Sequence, residues 1–274
     1  MIVRKSAKIL FFLANFLVAA ILVAPLLYAL SASFMTEGEL INYPPAIIPS
    51  SFHTQNYADA LRMAPIFQFI FNSAFVAIAC TAAQLITGAL AGYAFGVLKF
   101  KGQKALFFLM LATMMIPGQA IIIANYLTVV RMGLVDTFGA LILPYTASAF
   151  CIFNMRQAFL SLPKELNESA MIDGCNSLQF FVRIGLPLTK PFLGSLGIYT
   201  FLGVWNQYLW PLLVTNSVKM RTVQIGIGML QNAEGNSYGP VMAAAIMILV
   251  PSILIFIIGQ KSLISGLTAG AVKG

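Results

Sequence analysis

Ser161-Leu162-Pro163-Lys164-Glu165-Leu166-Asn167-Glu168-Ser169-Ala170-Met171-Ile172-Asp173-Gly174 opens a segment that runs through Cys175 and Arg183 to Ile184-Gly185-Leu186-Pro187. With its flanks it makes an amphipathic connection of about 35 residues between apolar runs, long for such a link and the richest in charge. Ser161 is placed to cap a helix, Pro163 suits a first turn, and Leu166 and Ala170 stack at i, i+4. Gly174 can take the left-handed conformation that ends the helix. A second helical stretch, Leu178 to Ile184, then leads to a break at Pro187. The expected product is a short helix, a sharp glycine turn and a second helix, with Glu165, Glu168 and Asp173 on a face that is either solvated or docks another protein.

What flanks this segment is apolar. Of 274 residues only 9% are charged and 59% are hydrophobic, 22 of them Phe, and the mean hydropathy is +0.89. Soluble domains carry about 25% charged residues, so neither a water-soluble globule nor a disordered chain fits. Crossing about 30 Å of hydrocarbon takes roughly 20 apolar residues. Six runs qualify and contain no Asp, Glu, Lys or Arg: Ile9–Leu30, Phe69–Val97, Ala105–Val130, Phe138–Met155, Phe192–Val214 and Gly239–Ile258. The expected fold is an all-α integral membrane protein with six transmembrane helices, a single domain over 1–274 whose core is about 69–260.

The formal charge of +8 is then a topology signal. With the N-terminus inside, that side holds Arg4, Lys5, Lys8, Lys99, Lys101, Lys104, Arg156, Lys164, Arg183, Lys190, Lys261 and Lys273, while the other keeps Arg62, Arg131, Lys219 and Arg221. Both termini and the 161–187 segment are thus expected in the cytoplasm, and nothing requires nucleic acid. The basic start could introduce a secretory signal cleaved near Ala29–Ser33, but its apolar run of about 22 residues exceeds the roughly 7–15 of a signal peptide, so a retained first span is expected.

Cys80, Cys151 and Cys175 read as small packing residues, and one histidine, His53, makes no metal site. The outer segment from about Met35 to Gln68 carries Pro44-Pro45, Pro49 and Pro65, and is expected to hold extended chain and turns. Gly88, Gly92 and Gly96 repeat every four residues on one helix face, a pattern for close helix association in lipid.

The 161–187 segment resembles the inner loop of permease subunits of bacterial ATP-binding-cassette importers. That loop reads Glu-Ala-Ala, three residues, Gly, nine residues, Ile, one residue, Leu-Pro. Here Glu168-Ser169-Ala170 precedes Gly174, and Ile184 and Leu186-Pro187 follow at the same spacing; Ser169 is the one departure. The resemblance implies a type I importer permease fold. It implies that Glu168, Ser169, Ala170, Asp173, Gly174, Ile184, Leu186 and Pro187 form a coupling helix and its return, seated in a groove of an ATPase subunit. The end of the chain, Gly266-Leu267-Thr268-Ala269-Gly270-Ala271-Val272-Lys273-Gly274, resembles the tail of the second permease subunit of maltose-type carbohydrate importers. That likeness gives Leu267, Thr268, Ala269, Gly270 and Lys273 a contact role between two ATPase subunits.

No Gly-x-x-x-x-Gly-Lys-Ser/Thr loop occurs, since Gly259-Gln260-Lys261-Ser262 lacks the glycine before lysine. The family resemblance therefore places ATP and Mg on two partner ATPase subunits, with no cofactor or metal in this chain. It further implies a homologous second permease and an extracytoplasmic solute-binding protein, in a bacterial inner membrane.

For the solute path, Trp205-Asn206-Gln207-Tyr208-Leu209-Trp210-Pro211 is the densest cluster of amides and aromatics in any run. Asn206, Gln207 and Trp210 are expected on one helix face at spacings of three and four, with Tyr208 beside them. Amides bond hydroxyls and aromatic faces stack on sugar rings; the same residue types also gather at membrane interfaces. Asn72 and Gln119 are further candidates. The function expected is a carbohydrate importer permease that does no bond chemistry, with a glycerol-phosphate or polyol importer of the same branch as alternative. An ion-coupled carrier would commonly need ionisable residues inside the bilayer, and a non-transporting scaffold would leave the coupling loop unexplained.

Overall fold

The computed structural model describes residues 5–233 and 238–269, with side chains placed for 10–230 and 238–260. These residues fold into helices, with no strand among them. Three helices are unbroken and apolar enough to cross a bilayer: α1 (Lys5–Ala32), α4 (Ile66–Gly96) and α15 (Tyr238–Ala269).

The other three expected spans are not straight helices. The third divides into α5 (Gln103–Thr113) and α6 (Gly118–Arg131), bent by 96°. Pro117, extended at φ −63° and ψ 133°, stops continuation there and disfavours helix at the residue before it. The fourth divides into α7 (Phe138–Ile142), a 3₁₀ turn, and α8 (Ala149–Leu160), bent by 44°. Pro144 sits in the turn; without an N–H it leaves the Ala140 carbonyl without its helical donor, and the Trp210 indole supplies one at 3.0 Å. The fifth is α12 (Lys190–Trp205), a gap at Asn206–Tyr208, and α13 (Leu209–Val214). Pro211 cannot donate to Gln207, four residues earlier, so the gap falls where that bond is missing.

The chain packs as two compact units, Met1–Ile66 with Gly226–Pro251, and Phe67–Ile225 with Ser252–Gly274. In the first, the segment that follows α1 forms only α2 (Glu37–Ile41) and α3 (Gln55–Met63), joined by irregular chain, as its prolines imply. Asn56 organises it, donating to the carbonyls of Ser33 (3.0 Å) and Met35 (2.8 Å). Gly239 lies against that amide so closely that a Cβ there would be 2.6 Å from Asn56 Oδ1. The Glu39 carboxylate accepts from the backbone N–H groups of Thr36 and Ser50, both at 2.8 Å. Hydrogen bonds from Ser50, then from Thr36, lower its pKa from 4.5 to about 2.

The second unit is built around α8, which packs on α5 and α12 and on the glycine face of α4. A Cβ at Gly88 would lie 3.0 Å from Cys151 Cβ, and one at Gly92 2.7 Å from Met155 Cβ. The i, i+4 glycines thus let two backbones meet. Cys80 and Cys151 are buried and all three cysteines are free. Arg156 closes the lower end: Nε donates to the Phe95 carbonyl (3.0 Å) and the guanidinium lies 4.1 Å over the Phe107 ring.

Candidate functional site

The 161–187 segment folds against the lower end of this second unit. Ser161 ends α8, its hydroxyl donating to the Ala158 carbonyl at 2.8 Å, and does not cap the next helix. The residue before α9 (Lys164–Ile172) is Pro163, which brings no capping side chain. Ser161 is drawn away because a C-terminal carbonyl lies nearer to it than the first-turn amides two residues on. Within α9 the Ser169 hydroxyl donates to the Glu165 carbonyl.

The helix stops as the glycine predicts. Gly174 has φ +82°; its N–H reaches the Met171 carbonyl (3.1 Å) and the Cys175 N–H reaches that of Ala170 (2.9 Å). These two bonds form the Schellman arrangement, which occupies carbonyls a plain helix end would leave open. The chain restarts at once: Asn176 and Gln179 form a reciprocal capping box, at 2.8 and 2.9 Å, for α10 (Ser177–Phe180).

From Ser177 the helix does not break at Pro187. It passes through a π-helical turn, Phe181–Gly185, then α11 (Leu186–Leu188), and enters α12 after Thr189 alone. Pro187 has no N–H for the Arg183 carbonyl; the turn widens instead, with the Leu186 N–H bonded to Phe181. The proline is absorbed as a local widening, and α10 runs by nearly continuous helix into α12.

Aromatic packing holds this arrangement. Tyr93 of α4 donates its hydroxyl to the Ser177 carbonyl at 2.9 Å. Its ring centroid lies 5.4 Å from Phe159, 6.3 Å from Phe180 and 5.0 Å from Phe181. Ala170 is buried in the same cluster, and a Cβ at Gly185 would lie 3.1 Å from the Phe159 ring. Each buried aromatic side chain contributes about 1.5–3 kcal/mol, so the seat of α9 is a firm one. Alanine at 170 and glycine at 185 are the sizes that let α9 and the return helix approach it.

The opposite face is open. Ile172 is 86% exposed, Leu178 67% and Met171 56%, with Glu165, Glu168, Ser169 and Asp173 exposed beside them. Apolar side chains rimmed by carboxylates on a firmly seated helix have the make-up of a protein-docking surface. Ile184 and Leu186 are half-buried against the aromatic cluster, whereas Pro187 is exposed.

The expected solute-path residues are not brought together as one helix face, because the helix ends between them. Asn206 terminates α12 and is exposed; Gln207 and Tyr208 lie in the gap, with the Gln207 N–H on the Val204 carbonyl at 3.1 Å. Trp210 is buried: it is 2% exposed, bonded to Ala140 and edge-on to Tyr145 at 6.1 Å. Asn72 is fully buried, bonding the carbonyls of Lys219 (2.7 Å) and Arg221 (2.8 Å) while accepting from Gln68 (2.9 Å). Its amide is a brace for the 219–221 loop. Gln119 is exposed in the first turn of α6, beside the 96° bend. Asn206 also accepts from Gln224 Nε2 at 3.3 Å. Leu267, Thr268 and Ala269 continue the backbone of α15; Gly270 and Lys273 lie outside the described residues.

Sequence reasoning missed Asp136. It adopts φ +61°, its N–H bonds the Val214 carbonyl (2.8 Å), and its carboxylate accepts from the N–H groups of Asn216 and Ser217, both at 2.9 Å. The hydrogen bond from Ser217, chiefly, lowers its pKa. Aspartate tolerates the left-handed region, but a lone Asp in a loop gave no signal of partners eighty residues away.

Residues 84–263 match the family model described as binding-protein-dependent transport system inner membrane component. The chain belongs to that family. Relatives extend the likeness to the whole length: the arabinooligosaccharides transport system permease protein AraQ of Halalkalibacterium halodurans is 36% identical over 99% of both chains. The sn-glycerol-3-phosphate transport system permease protein UgpE of Agrobacterium fabrum is 32% identical over 96% of this chain and 97% of its own. In fold, a chain of a bacterial ABC transporter involved in import of the acidic polysaccharide alginate superposes with a TM-score of 0.84 at 21% identity, covering 95% of this chain and 99% of that one. The type I importer permease fold is therefore the fold of this family member.

Proposed function

We propose that this chain is one permease subunit of an ATP-driven carbohydrate importer, pairing with a homologous second permease to enclose the path. Of two ATPase subunits, one would dock on α9 from the cytoplasm, and a binding protein would deliver solute from outside. The observation that carries this reading is the exposed face of α9, held by the Tyr93 aromatic seat and ended by Gly174 at positive φ. A short helix so anchored transmits a push, where a loop would absorb it. The chain itself does no bond chemistry: ATP and Mg belong to the partner subunits. All six apolar runs, three of them bent or interrupted, would cross the membrane, with both termini in the cytoplasm as the distribution of Lys and Arg favours. The gaps at Asn206–Tyr208 and Met114–Pro117 suit a path, since irregular backbone at membrane depth is tolerated where it is buried in protein or lines a cavity.

The solute is a neutral sugar or oligosaccharide in this reading, supported by the AraQ relative and by the absence of Lys or Arg within the apolar runs. The UgpE relatives favour a second candidate, a phosphorylated polyol.

The experiment is uptake by cells or vesicles carrying the whole transporter. Gly174→Pro combined with Glu168→Lys is expected to abolish ATP-driven uptake while the complex still assembles. Preserved uptake, or uptake driven by an ion gradient without ATP, would remove the coupling role from α9.

A further inference from the structure

Beside the root of α9 lies a cavity of about 380 Å³, roofed by Phe159 and the link to Pro163 and lined by Lys99, Gln103, Lys164, Asn167 and Glu168. Pockets that hold small organic groups begin at about 300 Å³. Gln103 Nε2 is engaged, donating to the Phe95 and Leu98 carbonyls (both 2.9 Å), but the other polar side chains are unspent. Lys99, Lys164 and Glu168 face the cavity without a charged partner within ion-pairing distance. Asn167 Oδ1 is shielded from solvent and receives no hydrogen bond, a state that costs about 1–3 kcal/mol unless a donor arrives. Pro163 supplies no capping side chain and its carbonyl takes the Leu166 N–H (3.2 Å), which leaves the Lys164 and Glu165 amides of α9 for an acceptor from outside the helix.

The depth of the cavity selects the ligand. It sits at the end of α4, one of the membrane-crossing helices, where Lys99, Lys101 and Lys104 follow with no carboxylate among them. Leu160 in its lining is exposed, as are Phe100, which follows Lys99, and Leu106, one turn on from Gln103, as a surface under acyl chains would be. Basic pockets at this level receive phospholipid headgroups.

We propose that this cavity binds the phosphoethanolamine headgroup of a bilayer lipid. The phosphate lies between Lys99, Lys164 and the α9 amides, and the ammonium donates to Asn167 Oδ1 with the Glu168 carboxylate balancing its charge. A choline headgroup has the same phosphate but no N–H to offer Asn167, so the site discriminates between them. The binding needs only that the chain lie in a bilayer; it does not depend on the coupling role of α9.

The test is native mass spectrometry of the intact transporter, delipidated and then titrated separately with phosphatidylethanolamine, phosphatidylcholine and soluble phosphoethanolamine. The wild type is expected to hold phosphatidylethanolamine roughly tenfold better than phosphatidylcholine, the margin of one charge-assisted hydrogen bond. Lys99→Gln with Lys164→Gln, both exposed positions, is expected to lower retention of either lipid. Asn167→Leu is expected to erase the preference between the headgroups, and Asn167→Asp to restore it. Equal retention by wild type and the lysine variant, or no preference in the wild type, would overturn the proposal. Binding of soluble phosphoethanolamine alone, with the same dependence on the lysines, would overturn the lipid as source and leave a soluble aminophosphate as the ligand.

Discussion

Gly92 shows how much one hydrogen atom can decide. A methyl group there would lie 2.7 Å from Met155 Cβ and 2.8 Å from the Arg156 backbone N, and backbone cannot give way as a flexible side chain does. Gly92→Ala is expected to cost about 1–3 kcal/mol, seen as a lowered melting temperature in detergent. Gly203→Ala in α12, where nothing lies within 4 Å of the new Cβ, should be neutral or gain up to about 1 kcal/mol. Equal effects would mean that the glycine face does not set the spacing of α4 and α8. The packing role of Gly92 was legible from its i, i+4 repeat; the role of Asn72 was not. An amide in an apolar run announces a need for partners without naming them, and these proved to be carbonyls some 150 residues away. Asn72→Leu leaves the Lys219 and Arg221 carbonyls without its donor and should cost about 1–3 kcal/mol, read as faster hydrogen exchange in the 217–222 loop.

Among elements, the 161–187 segment was the most legible and the apolar runs the least. Turn chemistry is local, so Gly174 could be placed from its neighbours alone. The bends in the third, fourth and fifth runs depend on which carbonyls a proline frees and what then satisfies them, as the Trp210 indole does for Ala140. Composition sees only an uninterrupted apolar stretch. Asn206, Gln207 and Trp210 accordingly were expected on one helix face that Pro211 does not allow. The α2 segment carries a pH dependence of its own. Glu39 is depressed to about 2 from 4.5, so its folded state is favoured above about pH 4.5, and that contribution is lost as pH falls toward 2. Exchange at the amides of Thr36 and Ser50, corrected for intrinsic rates, is expected to rise across this window, and Glu39→Gln to show the raised rate already at neutral pH.

At the scale of the molecule, composition alone excluded a soluble protein, and the charge asymmetry proposed an orientation that labelling can check. With Cys175 replaced by Ser, a cysteine introduced at Ser217 should react with an impermeant maleimide in intact cells, and one at Gly102 only after the cytoplasmic face is opened. The reverse pattern would invert the topology and place α9 outside, ending the coupling proposal. The division into two packing units was beyond sequence reasoning, since each depends on long-range contacts that no local pattern encodes.

The helix that leaves the aromatic seat at Ser177 and reaches Trp205 with only a widened turn and Thr189 to interrupt it is a shaft about 29 residues long, or roughly 43 Å. A shaft has phase as well as length. One residue inserted near Ser195 would rotate Asn206 by about 100° relative to α9 without disturbing either end locally, whereas seven would return it to within about 20° of its heading. Descendants of this chain should thus tolerate many exchanges of side chain along the shaft, yet accept additions to it only in whole turns.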